Sequence, residues 1–205
     1  MFLNRVAAVI VAAGLLSATA ACGSGSQTGS GSETGSGSGS GSGSGDTGMT
    51  VGDLHTEVTV DVTGDVTLKG RSNAPMPTNN GVDYKSCEQY GGGEKNDEGR
   101  MYFVVPQMLI DKIDGRTVFV GAMIKDYKGA GSYDRGTLTD TGSPPGISFG
   151  GDLYFTQSNT TSTVTTDGKG GGKWEFTALS VQNPDGTKGG GGRQVSGSVT
   201  WTCAE

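Results

Sequence analysis

"RQVSGSVTWTC", Arg193–Cys203, decides the fold. Val195, Gly197, Val199, Trp201 and Cys203 alternate with Ser196, Ser198, Thr200 and Thr202, the period-two pattern of a strand with one face buried and one in water. A helix would scatter these residues around its axis. The same alternation recurs in "EVTVDVTGDVTLKG", Glu57–Gly70, where Val58, Val60 and Val62 share a face, Gly64-Asp65 marks a turn, and Val66 and Leu68 resume the pattern. In "MLIDKIDGRTVFVGAMI", Met108–Ile124, Asp114-Gly115 sits between apolar runs, as a type I′ hairpin turn requires. Val118, Val120, Ala122 and Ile124 then lie on one side. Pro106 points to an edge or bulge just upstream.

Shorter strands follow at "GISFGGDLYFT" (Gly146–Thr156) and "TSTVTT" (Thr161–Thr166). "GKWEFTALSV", Gly172–Val181, carries Trp174 and Phe176 in one phase and Leu179 and Val181 in the other, so a bulge is expected between them. Many short strands, glycine-rich turns and no convincing amphipathic helix give an all-β fold: an antiparallel β-sandwich, immunoglobulin-like or related, over residues 49–205. A helix over "PQMLIDKI" is the weaker alternative to a strand there.

The N-terminal quarter is of another kind. Arg5 precedes "VAAVIVAAGLLSATA", an apolar run of 15 residues. That is short of the roughly twenty needed to span a bilayer and suits the h-region of an export signal, so residues 1–21 read as a signal peptide. From Gly23 to Asp46 the chain is nearly all Gly and Ser, a composition that cannot offset the entropy of ordering. Residues 22–48 are therefore expected to form a flexible linker, with a reach of about 25–30 Å.

The three cysteines divide naturally. Trp201 and Cys203 face the same way, and export permits a disulfide, so Cys87 and Cys203 are expected to pair. The bond closes a loop of more than a hundred residues. Cys22 is left over. The small residues of "TAAC", Thr19–Cys22, resemble the lipobox of bacterial lipoproteins, with Thr19 where that family carries an aliphatic residue. The resemblance implies diacylation of Cys22. The competing reading is an ordinary secretory signal cleaved after "ATA" or "TAA", with Cys22 a free thiol.

Function classes narrow by composition. The net charge is −6, and no basic stripe with interleaved aromatics occurs, which argues against nucleic acid. The acidic balance also disfavours electrostatic adsorption to anionic lipid, leaving the acyl anchor on Cys22 as the membrane contact. His55, the single histidine, precedes the first expected strand and is poorly placed for a nucleophilic triad. "GGGEKNDEGR", Gly91–Arg100, collects Glu94, Asp97 and Glu98 beside Asn96, oxygen ligands of the kind calcium takes, but without EF-hand spacing. A solvated loop is expected there, and no metal or cofactor. Nothing selects a catalytic pair among Asp111, Asp114, Asp126 and Asp134.

"YKGAGSYDRGT", Tyr127–Thr137, has two readings. Tyr127 and Tyr133 form either an aromatic lip for a ligand, a glycan or lipid, or a corner in which both hydroxyls bond to backbone.

Signal, linker, early Cys87, Thr/Gly-rich middle and the "SVTWTC" ending together resemble the small LpqH-type lipoprotein antigens of mycobacteria and their actinobacterial relatives. That resemblance implies a non-enzymatic, surface-exposed lipoprotein antigen on the outer face of the bacterial cell membrane, extending into the envelope. Its sandwich would bind an envelope glycan, lipid or protein. The alternative is a carrier of lipid or another apolar ligand, with a cavity between sheets lined by residues such as Phe103, Phe119, Phe155 and Trp174.

Overall fold

The computed structural model describes residues 53–106, 110–141, 143–181 and 192–205, with side chains at 110–112 left aside. The signal peptide, Cys22 and the linker, expected over residues 1–48, lie outside the described residues, as do positions 107–109 of "PQMLIDKI".

In chain order the strands are β1 (His55–Gly64), β2 (Leu68–Pro75), β3 (Glu94–Lys95), β4 (Met101–Val104), β5 (Ile110–Ile113), β6 (Arg116–Gly121) and β7 (Met123–Lys125). They continue as β8 (Gly131–Asp134), β9 (Leu138–Thr139), β10 (Gly146–Phe149), β11 (Asp152–Phe155), β12 (Thr161–Thr166), β13 (Gly172–Val181) and β14 (Gln194–Ala204). A short α-helix, α1, covers Cys87–Gly91, and a 3-10 turn covers Arg135–Thr137.

The fold is all-β, and its pairings are antiparallel. A ten-stranded sheet runs β2-β1-β14-β13-β11-β10-β6-β5, with β12 and β8 branching from β13. It curls until β5, at one edge, lies against β2 at the other. A four-stranded sheet, β3-β4-β7-β9, packs into the same core. Val58, Val60 and Val62 of β1 alternate inward against Val195, Val199 and Trp201 of β14, all fully or almost fully buried. Each strand's polar alternates, Thr59, Asp61, Ser198 and Thr200 among them, stand on the outer face.

Two turns follow from their sequence. Asp114 and Gly115 both have positive φ, 51° and 72°, as the I′ hairpin between β5 and β6 demands. In β13 the register slips between Phe176 and Leu179, with Ala178 at φ 57°, which is the expected bulge. The slip divides the sheet: before it β13 pairs with β12, after it with β11.

The run expected to be one strand after Asp114-Gly115 is two. β6 ends at Gly121 in the large sheet, and β7 begins at Met123 in the small one, so Ala122 is where the chain changes sheets. Val118 and Val120 therefore face the core from β6, while Ile124 reaches it from β7. The helix α1 was not expected. Ser86 caps it by accepting the Gln89 N–H at 3.1 Å, while the Gln89 side chain accepts the Lys85 N–H at 2.8 Å.

Cys87 and Cys203 are disulfide-bonded, with their Cα atoms 5.5 Å apart. Cys87 is the first residue of α1, and Glu205 reinforces the junction by accepting the Cys87 N–H at 2.6 Å.

Candidate functional site

The two tyrosines of the glycine corner serve the backbone. Tyr127 is buried, and its hydroxyl donates to the Gly91 carbonyl at 2.9 Å, tying the β7–β8 corner to the end of α1. Tyr133 is half-buried; its hydroxyl donates to Gly129 O at 2.8 Å and accepts the Lys128 N–H at 3.0 Å. The rings lie 5.6 Å apart and continue a column through Phe103 and Tyr90 beside the disulfide. Burial pushes the Tyr127 phenol up, against the opposing hydrogen bond to Thr166. Both hydroxyls thus have the partners that the corner reading requires.

The acidic loop is more closely built than its composition suggested. Glu94 is buried, and its carboxylate accepts the Asn79 N–H at 2.8 Å, the Asn80 N–H at 3.4 Å and the Thr78 hydroxyl at 3.3 Å. The expectation of a solvated loop fails for this residue, because a segment fifteen residues upstream wraps around it. The Asn96 side chain accepts the backbone N–H groups of Glu98 and Arg100, closing the β3–β4 hairpin. His55 is the first residue of β1, with Nδ1 2.6 Å from the Asp53 carbonyl. Among the described residues no three His, Cys, Asp or Glu side chains are placed to hold a metal ion, and no helix is long and apolar enough to cross a membrane.

The densest ionic cluster joins three separate turns at the end of the fold away from the disulfide. Arg193, leading into β14, places Nη2 2.6 Å from Asp152 Oδ2 and Nε 2.8 Å from Asp65 Oδ2. Tyr154 donates to Asp65 at 2.5 Å. The Tyr154 hydrogen bond, then Arg193, hold Asp65 below the usual carboxylate range; Arg193 does the same for Asp152. Burial, with Asp65 adding to it, pushes the Tyr154 phenol to about 12. These groups satisfy one another, so the cluster is a clasp. No local pattern could have revealed it, since its members lie far apart in sequence.

A different kind of surface lies on the outer face of β6, β10 and β11. Phe119 and Leu153, 41% and 46% exposed, are the large exposed apolar side chains among the described residues. Both are register partners of Ser148, one from each side. In the next row Gly121 pairs with Gly146, which pairs with Phe155. The Phe155 ring covers Gly146, lying 2.7 Å from where a Cβ would stand, and the Asp140 carboxylate covers Gly121 in the same way. Burial raises the Asp140 carboxyl above its ordinary range, opposed by the hydrogen bond from Thr141 N–H. A separate open cleft of about 320 Å³ is lined by Arg135, Thr139, Pro145 and Thr156. The Arg135 guanidinium donates to Gln157 O.

The four residues expected to line a cavity are therefore dispersed. Phe103 and Trp174 are packed in the core, Phe103 against Tyr90 and Tyr127, and Trp174 against Phe176 with its indole N–H donated to Ser162. Phe119 and Phe155 stand on the outer face. The signal for this was present: in "TVFVG" Phe119 has the opposite parity to Val118 and Val120.

Comparison with protein-family models, curated proteins and solved structures returned no match to this chain.

Proposed function

We propose that the chain is a lipoprotein of the outer face of a bacterial cell membrane. Residues 1–21 direct export, Cys22 carries the acyl anchor, and the tether to residue 48 holds out a β-domain that binds an envelope component or partner protein without chemistry of its own. The observation that carries this is the Cys87–Cys203 bond. It takes up two of the three cysteines and leaves Cys22 beside the small residues that a lipoprotein signal peptidase reads. Kinship with the LpqH-type antigens is proposed on the same motifs. The binding surface is the β6–β10–β11 patch, where the apolar side chains of Phe119 and Leu153 face solvent; the Asp65–Arg193–Asp152 clasp is spent on internal pairing. Phe103 and Trp174, buried and each packed against other core aromatics, favour this surface module over a carrier.

The test is Cys22→Ala. The native protein should enter the detergent phase on Triton X-114 partitioning, and the variant should either stay aqueous or keep its signal peptide. A variant that partitions like the native protein with its signal removed overturns the lipoprotein assignment.

A further inference from the structure

We infer that the cleft at the Arg135–Thr137 turn is a binding site for a monoanionic carboxylate, which Arg135 and Thr156 hold while the body attached to it rests on Leu138, Pro144 and Pro145. The site is separate from the β6–β10–β11 patch and goes beyond the binding role proposed for that face.

Two donors meet at this cleft. Asp134 caps the 3-10 turn by accepting the Gly136 N–H at 3.0 Å, and the turn presents Arg135, whose guanidinium donates through Nη1 to Gln157 O. A guanidinium carries five N–H groups in a rigid fork, so one bond fixes its position and leaves the others available. The ion pairs among the described residues all join other side chains, so none of their carboxylates claims Arg135. Gln157 follows Thr156, which brings the fork to the second donor. Thr156 is only 9% exposed and lines the cleft, and its hydroxyl bonds to no other described residue. The side-chain polar atoms enclosed without a partner are Tyr84 Oη and Trp201 Nε1, so the Thr156 hydroxyl is open to solvent, and the cleft is its opening. A nearly buried hydroxyl without a protein partner is costly unless water or a ligand bonds to it.

A carboxylate matches this pair. It is acceptor-only, with about four lone-pair sites, so it accepts N–H groups of the fork on one side and the Thr156 hydroxyl on the other. The cleft, about 320 Å³, lies at the small end of ligand sites, with room for a single amino-acid or sugar residue. The Asp134 carboxylate lies against Gly136, another lining residue, so a dianion such as phosphate meets about twice the repulsion that a monoanion does. Leu138, Pro144 and Pro145 have no polar side-chain atoms, and the prolines no N–H, so they pack on C–H groups of the ligand. A peptide C-terminus and a uronic acid both present this chemistry, one negative charge on a compact body.

The test is a titration of the full-length, isotope-labelled protein in detergent micelles, read at the Gly136 and Thr156 amide resonances. The probes are N-acetylalanine for the peptide source, glucuronate for the sugar source, N-acetylalanine amide as the neutral counterpart, and inorganic phosphate, each taken into the millimolar range. Saturable shifts are expected with at least one of the two carboxylates, and the tighter of them identifies the source. The amide and phosphate should bind about tenfold more weakly, and Arg135→Gln and Thr156→Val should each weaken the carboxylate about tenfold, the scale of one charge-assisted hydrogen bond. Thr156→Val should also melt no lower than the native protein, because the hydroxyl it removes has no partner in the described domain. Thr200→Ala, on the outer face of β14, should bind as the native protein does. No saturable shift with either carboxylate, an amide or phosphate that binds as tightly, or full affinity in either cleft variant overturns the site. A lower melting temperature for Thr156→Val overturns the unpartnered hydroxyl on which the site stands. Each of these failures leaves the β6–β10–β11 patch and the lipid anchor untouched.

Discussion

Replacing both disulfide cysteines, Cys87→Ser with Cys203→Ser, is the most informative perturbation of this fold. The bond spans 116 residues, and the chain-entropy relation for a loop of that size gives about 4.8 kcal/mol at 25 °C. Two features of the structure bear on how much of that is realised. β14 is held by β1 through an unbroken register from His55↔Ala204 to Gly64↔Val195, so the strand keeps its place without the bond. α1 is only five residues long and depends on its ends: the Ser86 cap, the Glu205 carboxylate and the disulfide itself. The cost should therefore fall at about 2–5 kcal/mol, expressed first in α1 and the aromatic column beside it. For a domain of this size that is a fall in Tm of roughly 5–20 °C. Circular dichroism melts of the native protein, the double variant and the native protein under reductant provide the comparison, and thiol labelling of the unreduced native protein should leave Cys87 and Cys203 unmodified. A fall below about 2 °C, or ready labelling of both cysteines, would refute the reasoning and return Cys22 to the ordinary set of thiols.

Two further outcomes follow from hydrogen bonds and charge. Tyr127→Phe removes the donor to the Gly91 carbonyl inside the core and should cost about 1–3 kcal/mol in urea unfolding, whereas an exposed ligand lip would lose almost nothing. Asp65 and Asp152 are held below the usual carboxylate range, so the stability they contribute is present above about pH 4 and is lost as the pH falls through their lowered values. Arg193→Ala should flatten the decline of the urea midpoint between about pH 4 and 2, and an unchanged slope would show that the clasp is not linked to folding.

The longer strands were legible because each is a local pattern, whereas β3, β8 and β9, two to four residues long, carry none. The valines of β1, the Asp114-Gly115 turn and the phase change from Phe176 to Leu179 are all contained within windows of a few residues, and each is where its pattern places it. What escaped depends on segments meeting in space. Glu94 is charged and sits among charged neighbours, so only the arrival of Thr78–Asn80 makes it a buried acceptor. The change of sheet at Ala122 is invisible in an apolar run that suits one long strand equally well. α1 could have been found, since Ser86 and Gln89 hold the spacing of a capping box, but five residues are too few for periodicity. For the patch, parity alone puts Phe119 outside, while its conjunction with Leu153 across Ser148 requires the β6–β10–β11 register.

The placement of β1 has a mechanical consequence. It is paired on both sides, with β14 over its whole length and with β2 from His55 to Val62. A pull on the chain ahead of His55 that is directed along the β1 axis loads both ladders in shear. Their hydrogen bonds then share the force together rather than opening one after another as in a zipper, so the domain resists tension with the strand that first receives it.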